Sequence, residues 1–283
     1  TNTACFGYDY IMTSTYFLYK TVIGRCFLKI LTRPFFSKMC GAFLNTSLSK
    51  PMIKYYTKKY DIDLNEYEKK NYDCFNSFFT RKRKILDINT DKSAFISPCD
   101  GYLSVYKIDD NSVYHVKNVD YSLSELLKSE KEANEYKNGL CFIFRLAPHN
   151  FHRYCFEDSG EIIYEKKIDG ILHCVRPLAT SSCPVYIQNS REYTKIKTDN
   201  FSDVIQMEVG AMIVGKIKNN KHGKYVLREQ EKGYFEFGGS TVIVLVKENI
   251  LEYEANDEQT EIPVKIGTAV AKKRSLQFKD ING

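Results

Sequence analysis

Gly233-Tyr-Phe-Glu-Phe-Gly-Gly-Ser-Thr-Val-Ile-Val-Leu-Val246 sets two β-rich runs on either side of a Gly238-Gly239-Ser240-Thr241 junction. Aromatic and β-branched residues dominate both flanks, which predicts a pair of strands. Paired glycines accept positive φ and let another group approach the backbone closely. Taken alone, Gly-Gly-Ser-Thr ahead of an apolar strand is the pattern of a turn. It also places a hydroxyl beside its own preceding carbonyl, at a peptide bond that two strands can hold under strain.

That placement has a specific chemistry. Attack of the Ser240 hydroxyl on the Gly239 carbonyl moves the acyl group from nitrogen to oxygen and gives an ester. Loss of the Gly239 carboxylate leaves dehydroalanine, and hydrolysis then gives a pyruvoyl group at a new N-terminus. A ketone at that point is an electron sink suited to amino-acid decarboxylation, much as pyridoxal phosphate is.

Around this junction the chain is long enough, at 283 residues with 43% hydrophobic residues, for one large domain or two small ones. Tyr (21) and Phe (18) are abundant and Trp is absent, which favours aromatic packing and strands. The formal net charge is only +6. Cations gather in the N-terminal third, at Lys54, Lys58, Lys59, Lys69, Lys70 and the Arg81-Lys82-Arg83-Lys84 run, a pattern that fits a solvated face or an anionic partner. Nine scattered cysteines without Cys-x-x-Cys spacing read as reduced thiols, with no zinc pattern. The N-terminus lacks a signal-peptide layout, and the apolar stretch Tyr16 to Leu31 is interrupted by Lys20, Arg25 and Lys29, so no bilayer span is expected.

In chain order, apolar residues at helical spacing predict an amphipathic helix over Thr15 to Leu31, ended by Pro34. A second helix is expected over Ser49 to Tyr60, with Ser49 as N-cap and Pro51 in its first turn. A short helix around Tyr72 to Arg81 leads to a linker through Asp91. Beyond the Ser97-Pro98-Cys99-Asp100-Gly101 turn the chain alternates as strands over Tyr102 to Ile108, Leu140 to Leu146, Glu161 to Ile168 and Val204 to Ile217. Only Ser122 to Tyr136 reads helical there. The expected fold is α+β, with N-terminal helices (residues 1–90, membrane-proximal) packed on a β-rich catalytic body (residues 91–283).

Two further stretches concentrate chemistry. Arg145-Leu-Ala-Pro-His-Asn-Phe-His-Arg-Tyr-Cys155 gathers two histidines, an arginine and a thiol just past a strand, and Val209-Gly-Ala-Met-Ile-Val-Gly215 puts glycines in one. Together with the Asp100 turn, Phe75-Asn-Ser-Phe-Phe-Thr-Arg81 and the Gly233–Val242 stretch, in this order and spacing, they resemble the signature motifs of phosphatidylserine decarboxylases. The likeness runs from about Phe17 to Gly267.

The resemblance implies a proenzyme that cuts itself between Gly239 and Ser240 into a large β chain (1–239) and a short α chain (240–283). Ser240 would become the covalent pyruvoyl cofactor, and Asp100 would match the acid of an Asp-His-Ser arrangement that activates the serine. His152 matches a family histidine associated with decarboxylation. Phosphatidylserine would be the substrate and phosphatidylethanolamine the product, at the cytoplasmic side of a cell membrane to which the protein is peripheral. The two chains of one precursor would be partners, a homodimer is compatible, and no nucleic acid is expected. The chain departs from the family pattern at Cys155, which stands where the triad histidine belongs. A free thiol is only about 3% ionised at pH 7, whereas a free imidazole is roughly three-quarters neutral, so Cys155 is a poor base. His152 could substitute only if the segment is helical, because residues three apart point to opposite faces of a strand. Two rival readings follow: an unprocessed phospholipid-binding protein, and a decarboxylase of a soluble aromatic amino acid on the same scaffold.

Overall fold

The computed structural model describes residues 14–116, 118–212, 216–236, 240–253 and 261–275. Its centre is an antiparallel sheet of eight described strands. The spatial order is Tyr225–Val226, Gly160–Ile168, Arg191–Thr198, Ser202–Val209, Ser240–Val246, Leu140–Leu146, Gly101–Lys107 and Ile262–Val264. Ser240–Val246 lies in the interior of this order and pairs along its length with Leu140–Leu146 on one side, and from Thr241 onward with Ser202–Val209 on the other.

Each face of the sheet is covered by a different layer. On one side sit the helices Leu123–Leu127, Glu130–Glu135, Pro177–Thr180 and Val185–Gln188, with the hairpin Val113–Val116/Val119–Ser122. On the other lie two three-stranded sheets, Ala94–Ile96 with Ala269–Lys273 and Leu251–Glu252, and Ile217–Asn219 with Glu231–Phe235 and Arg153–Cys155. The period of two sorts the side chains of the Ser240–Val246 strand. Ile243 and Leu245 join the core under the helices, and Val242, Val244 and Val246 join the core under the small sheets. Every residue of that strand is buried. Its five aliphatic side chains contribute on the order of 10 kcal/mol of burial before entropy is charged against them.

The strand expectations hold with small shifts at the ends, and Leu140–Leu146 matches at both. The run expected over Val204 to Ile217 instead ends at Val209 and resumes as Ile217–Asn219 in a different sheet. Gly210 and Met212 turn away by donating their N–H groups to Ser190 O and His173 O, and Ile213, Val214 and Gly215 lie outside the described residues. The helix expected over Ser122 to Tyr136 is two helices, divided at Lys128, which takes a left-handed conformation (φ 50°).

The N-terminal region is helical, with two corrections. The apolar periodicity over Thr15 to Leu31 crosses a break at Thr21, whose hydroxyl accepts from Gly24 N at 2.9 Å and caps a separate helix, Val22–Leu31. Ser49 does not cap the helix Pro51–Lys59, whose N-cap is Lys50. Its hydroxyl donates to Leu44 O and Thr46 O and accepts from Phe75 N at 2.8 Å, so it secures the start of the helix Phe75–Phe79 instead. Leu44, Tyr72, Phe75, Phe78 and Phe79 form a small core of their own. Tyr19 and Leu28 tie this region to the body, with Leu172 N donating to Thr32 O and Cys174 N to the Tyr19 hydroxyl. No helix among the described residues is long and apolar enough to cross a membrane.

Candidate active site

Three of the stretches singled out in the sequence meet at one end of the central sheet. Ser240 begins its strand opposite Leu146, where the neighbouring strand ends and the loop to His152 departs. On the far side of that neighbour, Gly101 begins the next strand, and Tyr102 and Thr241 both pair with Arg145 from its two sides. Since adjacent strands are spaced about 4.8 Å apart, the Gly101 and Ser240 backbones stand about 10 Å apart across Leu146. A Cβ on Gly101 would come within 2.7 Å of Arg145 O, so a glycine is required for the Asp100 turn to enter the sheet here.

Ser240 is buried, and its hydroxyl has no hydrogen-bond partner among the described residues. The Thr241 hydroxyl shares that condition on the opposite face. An orphan of this kind costs about 1–3 kcal/mol and calls for an explanation. A side chain destined for covalent conversion supplies one, so Ser240 fits the origin of a pyruvoyl group. Gly238 and Gly239 lie outside the described residues.

Asp100 is also buried but fully committed. Arg83 donates to both carboxylate oxygens, Nη1 to Oδ1 at 2.9 Å and Nη2 to Oδ2 at 2.8 Å, and Ile266 N donates to Oδ1 at 3.0 Å. The Asp100 turn is stitched to the Arg153–Cys155 strand, since Cys155 N donates to Pro98 O at 2.9 Å. Cys155 itself packs with Tyr67, Phe151 and Ile266. Burial, reinforced by the Glu157 and Glu229 carboxylates, pushes its thiol far above the ordinary range. A cavity of about 40 Å³ lies beside it, lined in part by Arg83, Phe151 and Ile266.

His152 occupies different surroundings. Its ring is fully buried against Phe79, with centroids 3.8 Å apart. Its Nδ1–H donates to Asn150 O at 2.8 Å, which leaves the lone pair of the neutral ring on Nε2. His152 O accepts from Phe235 N at 2.9 Å, on the strand that leads toward Ser240. The segment Arg153–Cys155 is a strand, so the helical turn that would have put His152 and Cys155 on one face is absent. The loop before it is held from both ends. Ala147 N donates to Asn150 Oδ1 and Asn150 N to Ala147 O, while Arg81 Nη2 donates to His149 O and Asn150 O. His149 stacks on Tyr60 at 4.8 Å, and burial together with Arg145 and Arg81 holds its imidazole pKa down.

Arg81 and Arg83 are the site residues that sequence reasoning missed. Within the Arg81-Lys82-Arg83-Lys84 run the arginines turn inward and the lysines outward, in an extended segment where Glu68 N bonds Lys82 O and Lys84 N bonds Glu66 O. The alternation of residue type at period two was the available signal. Deeper in the body, Lys232 and Glu208 form a fully buried ion pair at 2.7 and 2.8 Å. Glu157 lies nearby, also fully buried. Burial first, then Glu208 and Asp158, push its carboxyl up to about 7 against the pull of Lys232.

A family model described as phosphatidylserine decarboxylase matches residues 73–272. A phosphatidylserine decarboxylase proenzyme 2 of Clostridium acetobutylicum is 46% identical over 265 residues, covering 89% of this chain and 90% of the relative. Phosphatidylserine decarboxylase proenzymes of Clostridium botulinum strain Hall (39% over 269 residues, 92% of this chain and 91% of the relative) and Clostridium tetani (40% over 260 residues, 87% and 88%) are similar along the same extent.

Proposed function

This chain belongs to the phosphatidylserine decarboxylase family, and we propose that it is a proenzyme that cleaves its own Gly239-Ser240 bond and then converts phosphatidylserine to phosphatidylethanolamine and carbon dioxide. The observation that carries this reading is the Ser240 hydroxyl, buried without a partner among the described residues at the head of a central strand. Its Oγ attacks the Gly239 carbonyl, the C–N bond breaks as the ester C–O bond forms, and the nitrogen takes the hydroxyl proton. Removal of the Ser240 Cα proton expels the Gly239 carboxylate, and water then displaces ammonia to leave the pyruvoyl group. That group supplies a ketone that withdraws the electron pair released when the substrate loses carbon dioxide.

The chain's own residues have the following parts. Asp100 enters the site already neutralised by Arg83, so it acts as a positioned carboxylate and not as a free base. Cys155 takes no proton, because burial and two carboxylates keep it a thiol. His152 is the proton carrier of the decarboxylation step through Nε2, its ring fixed by Asn150 O and Phe79. Once the bond is cut, the new N-terminus stays in place because Ser240–Val246 is hydrogen-bonded on both sides.

The enzyme is read as peripheral to the cytoplasmic side of the cell membrane. Supporting this, Val22, Ile23, Phe27, Ile30 and Phe35 are exposed on the first helices, an apolar patch suited to the lipid interface. Intact-mass measurement tests the main claim. Two fragments meeting at residue 240, the smaller one reducible by hydride, are expected, and a persistent single full-length mass after long incubation at neutral and mildly alkaline pH would remove it.

A further inference from the structure

The helix Pro51–Lys59 has two opposed faces. Tyr56 and Tyr60 turn toward the catalytic loop, Tyr56 meeting Phe75 edge-on at 4.8 Å and Tyr60 stacking on His149 at 4.8 Å. Roughly half a turn away, Lys50, Lys54 and Lys58 follow one another at intervals of four and form one wall of an open groove of about 570 Å³. Lys70 faces them from the segment that returns along the helix. None of these four lysines has an ion-pair partner among the described residues, and Asp61 is the single acidic side chain lining the groove. The floor is apolar, made by Ile53, Ile62 and Leu64. Tyr72 also lines the groove, and its buried hydroxyl has no partner among the described residues.

A purely solvated cationic face needs neither a cavity nor an apolar floor. A cationic rim over an apolar floor matches an amphiphile whose anionic phosphate meets ammonium groups while its glycerol and first methylenes lie on hydrocarbon. We propose that this groove is a binding site for the phosphate of an anionic phospholipid, separate from the Ser240 end of the sheet. No groove residue belongs to the proposed chemistry, so the site selects where the enzyme sits and not what it decarboxylates. Four lysines converging on one rim are enough for measurable selection, since each cation near an anionic membrane surface contributes on the order of 1 kcal/mol.

The experiment is sedimentation of the full chain with phosphatidylcholine vesicles, with and without phosphatidylglycerol, comparing the wild type with Lys54→Gln/Lys58→Gln. Anionic vesicles should bind the double variant roughly 30-fold more weakly, the scale of two lysines, while neutral vesicles bind both proteins alike. A control pair, Lys92→Gln/Lys131→Gln, removes two exposed charges outside the groove and should retain wild-type binding. Unchanged binding by the Lys54/Lys58 variant, or an equal loss in the control pair, overturns the proposal. Inorganic phosphate that displaces the protein at the same concentration as it shifts the wild-type melting temperature would reassign the groove to a free phosphate and overturn the lipid assignment. The assay reads binding alone, so it can fail while the decarboxylase reading stands, and the reverse.

Discussion

Two buried polar groups at the same end of one sheet are treated in opposite ways. Asp100 is surrounded by partners, a bidentate guanidinium and a backbone N–H, whereas Ser240, about two strands away, has a hydroxyl with none among the described residues. A fold that can satisfy a carboxylate so completely has the means to satisfy a hydroxyl. On the proposed function, the Asp100 corner holds shape and the Ser240 end reacts.

The sharpest way to break the contrast is to remove the reactive partner. Ser240→Ala should abolish cleavage altogether and remain one chain in intact-mass measurement, with the fold preserved because the strand keeps its pairing on both sides. Fragments from this variant would place the chemistry elsewhere. Next in size is His152→Ala, made in a Cys155→His background so that processing and turnover separate. Carbon dioxide release per pyruvoyl should fall by about 10²-fold or more, the usual scale for losing an acid-base group. Equal turnover per pyruvoyl would leave His152 a packing residue on Phe79.

Cys155→His tests whether the satisfied corner can be made reactive. An imidazole beside Arg83 and the adjoining cavity should speed fragment appearance by up to about 10²-fold. Identical rates would locate the base outside this corner. The smallest effect concerns Glu157. Its folded pKa of about 7 lies above the ordinary glutamate value of 4.5, so between these values the unfolded chain has lost a proton that the folded chain retains. Stability from this group therefore falls as pH rises through that window, by roughly 3 kcal/mol at most, and lost stability returns on acidification. Urea unfolding from pH 5 to 8 should show a flatter decline for Glu157→Gln than for the wild type. Parallel curves would show that Lys232 already holds the carboxylate ionised.

The Ser240 half of this contrast was easier to see in the sequence than the Asp100 half. Strands flanking Gly238 and Gly239 were readable because both faces of Ser240–Val246 are buried and the run is uniformly apolar. The Asp100 turn and the His152 loop were readable from their Pro, Gly and Asn content, and the fold brings both to the Ser240 end. Arg83 was not, because a basic run looks like a solvated face until its carboxylate partner, seventeen positions away, is known. Ser49 misled for a related reason: its hydroxyl serves the helix start at Phe75, and no local pattern encodes a partner 26 positions distant. The break at Thr21 left no trace in the apolar periodicity, since a capping hydroxyl changes hydrogen bonding without altering which residues are greasy.

A strand threaded through the middle of a sheet makes self-cleavage an act with no return. Before the cut, a molecule that opens by thermal accident keeps that strand on a tether, so it can close again at a rate independent of how much protein is present. Afterwards a strand that escapes becomes a separate solute and must find its slot by diffusion, against aggregation of the exposed edges it leaves behind. On the proposed cleavage, maturation would therefore set each molecule's lifetime as well as its chemistry: the precursor refolds as one chain, whereas the cut product must reassemble from two.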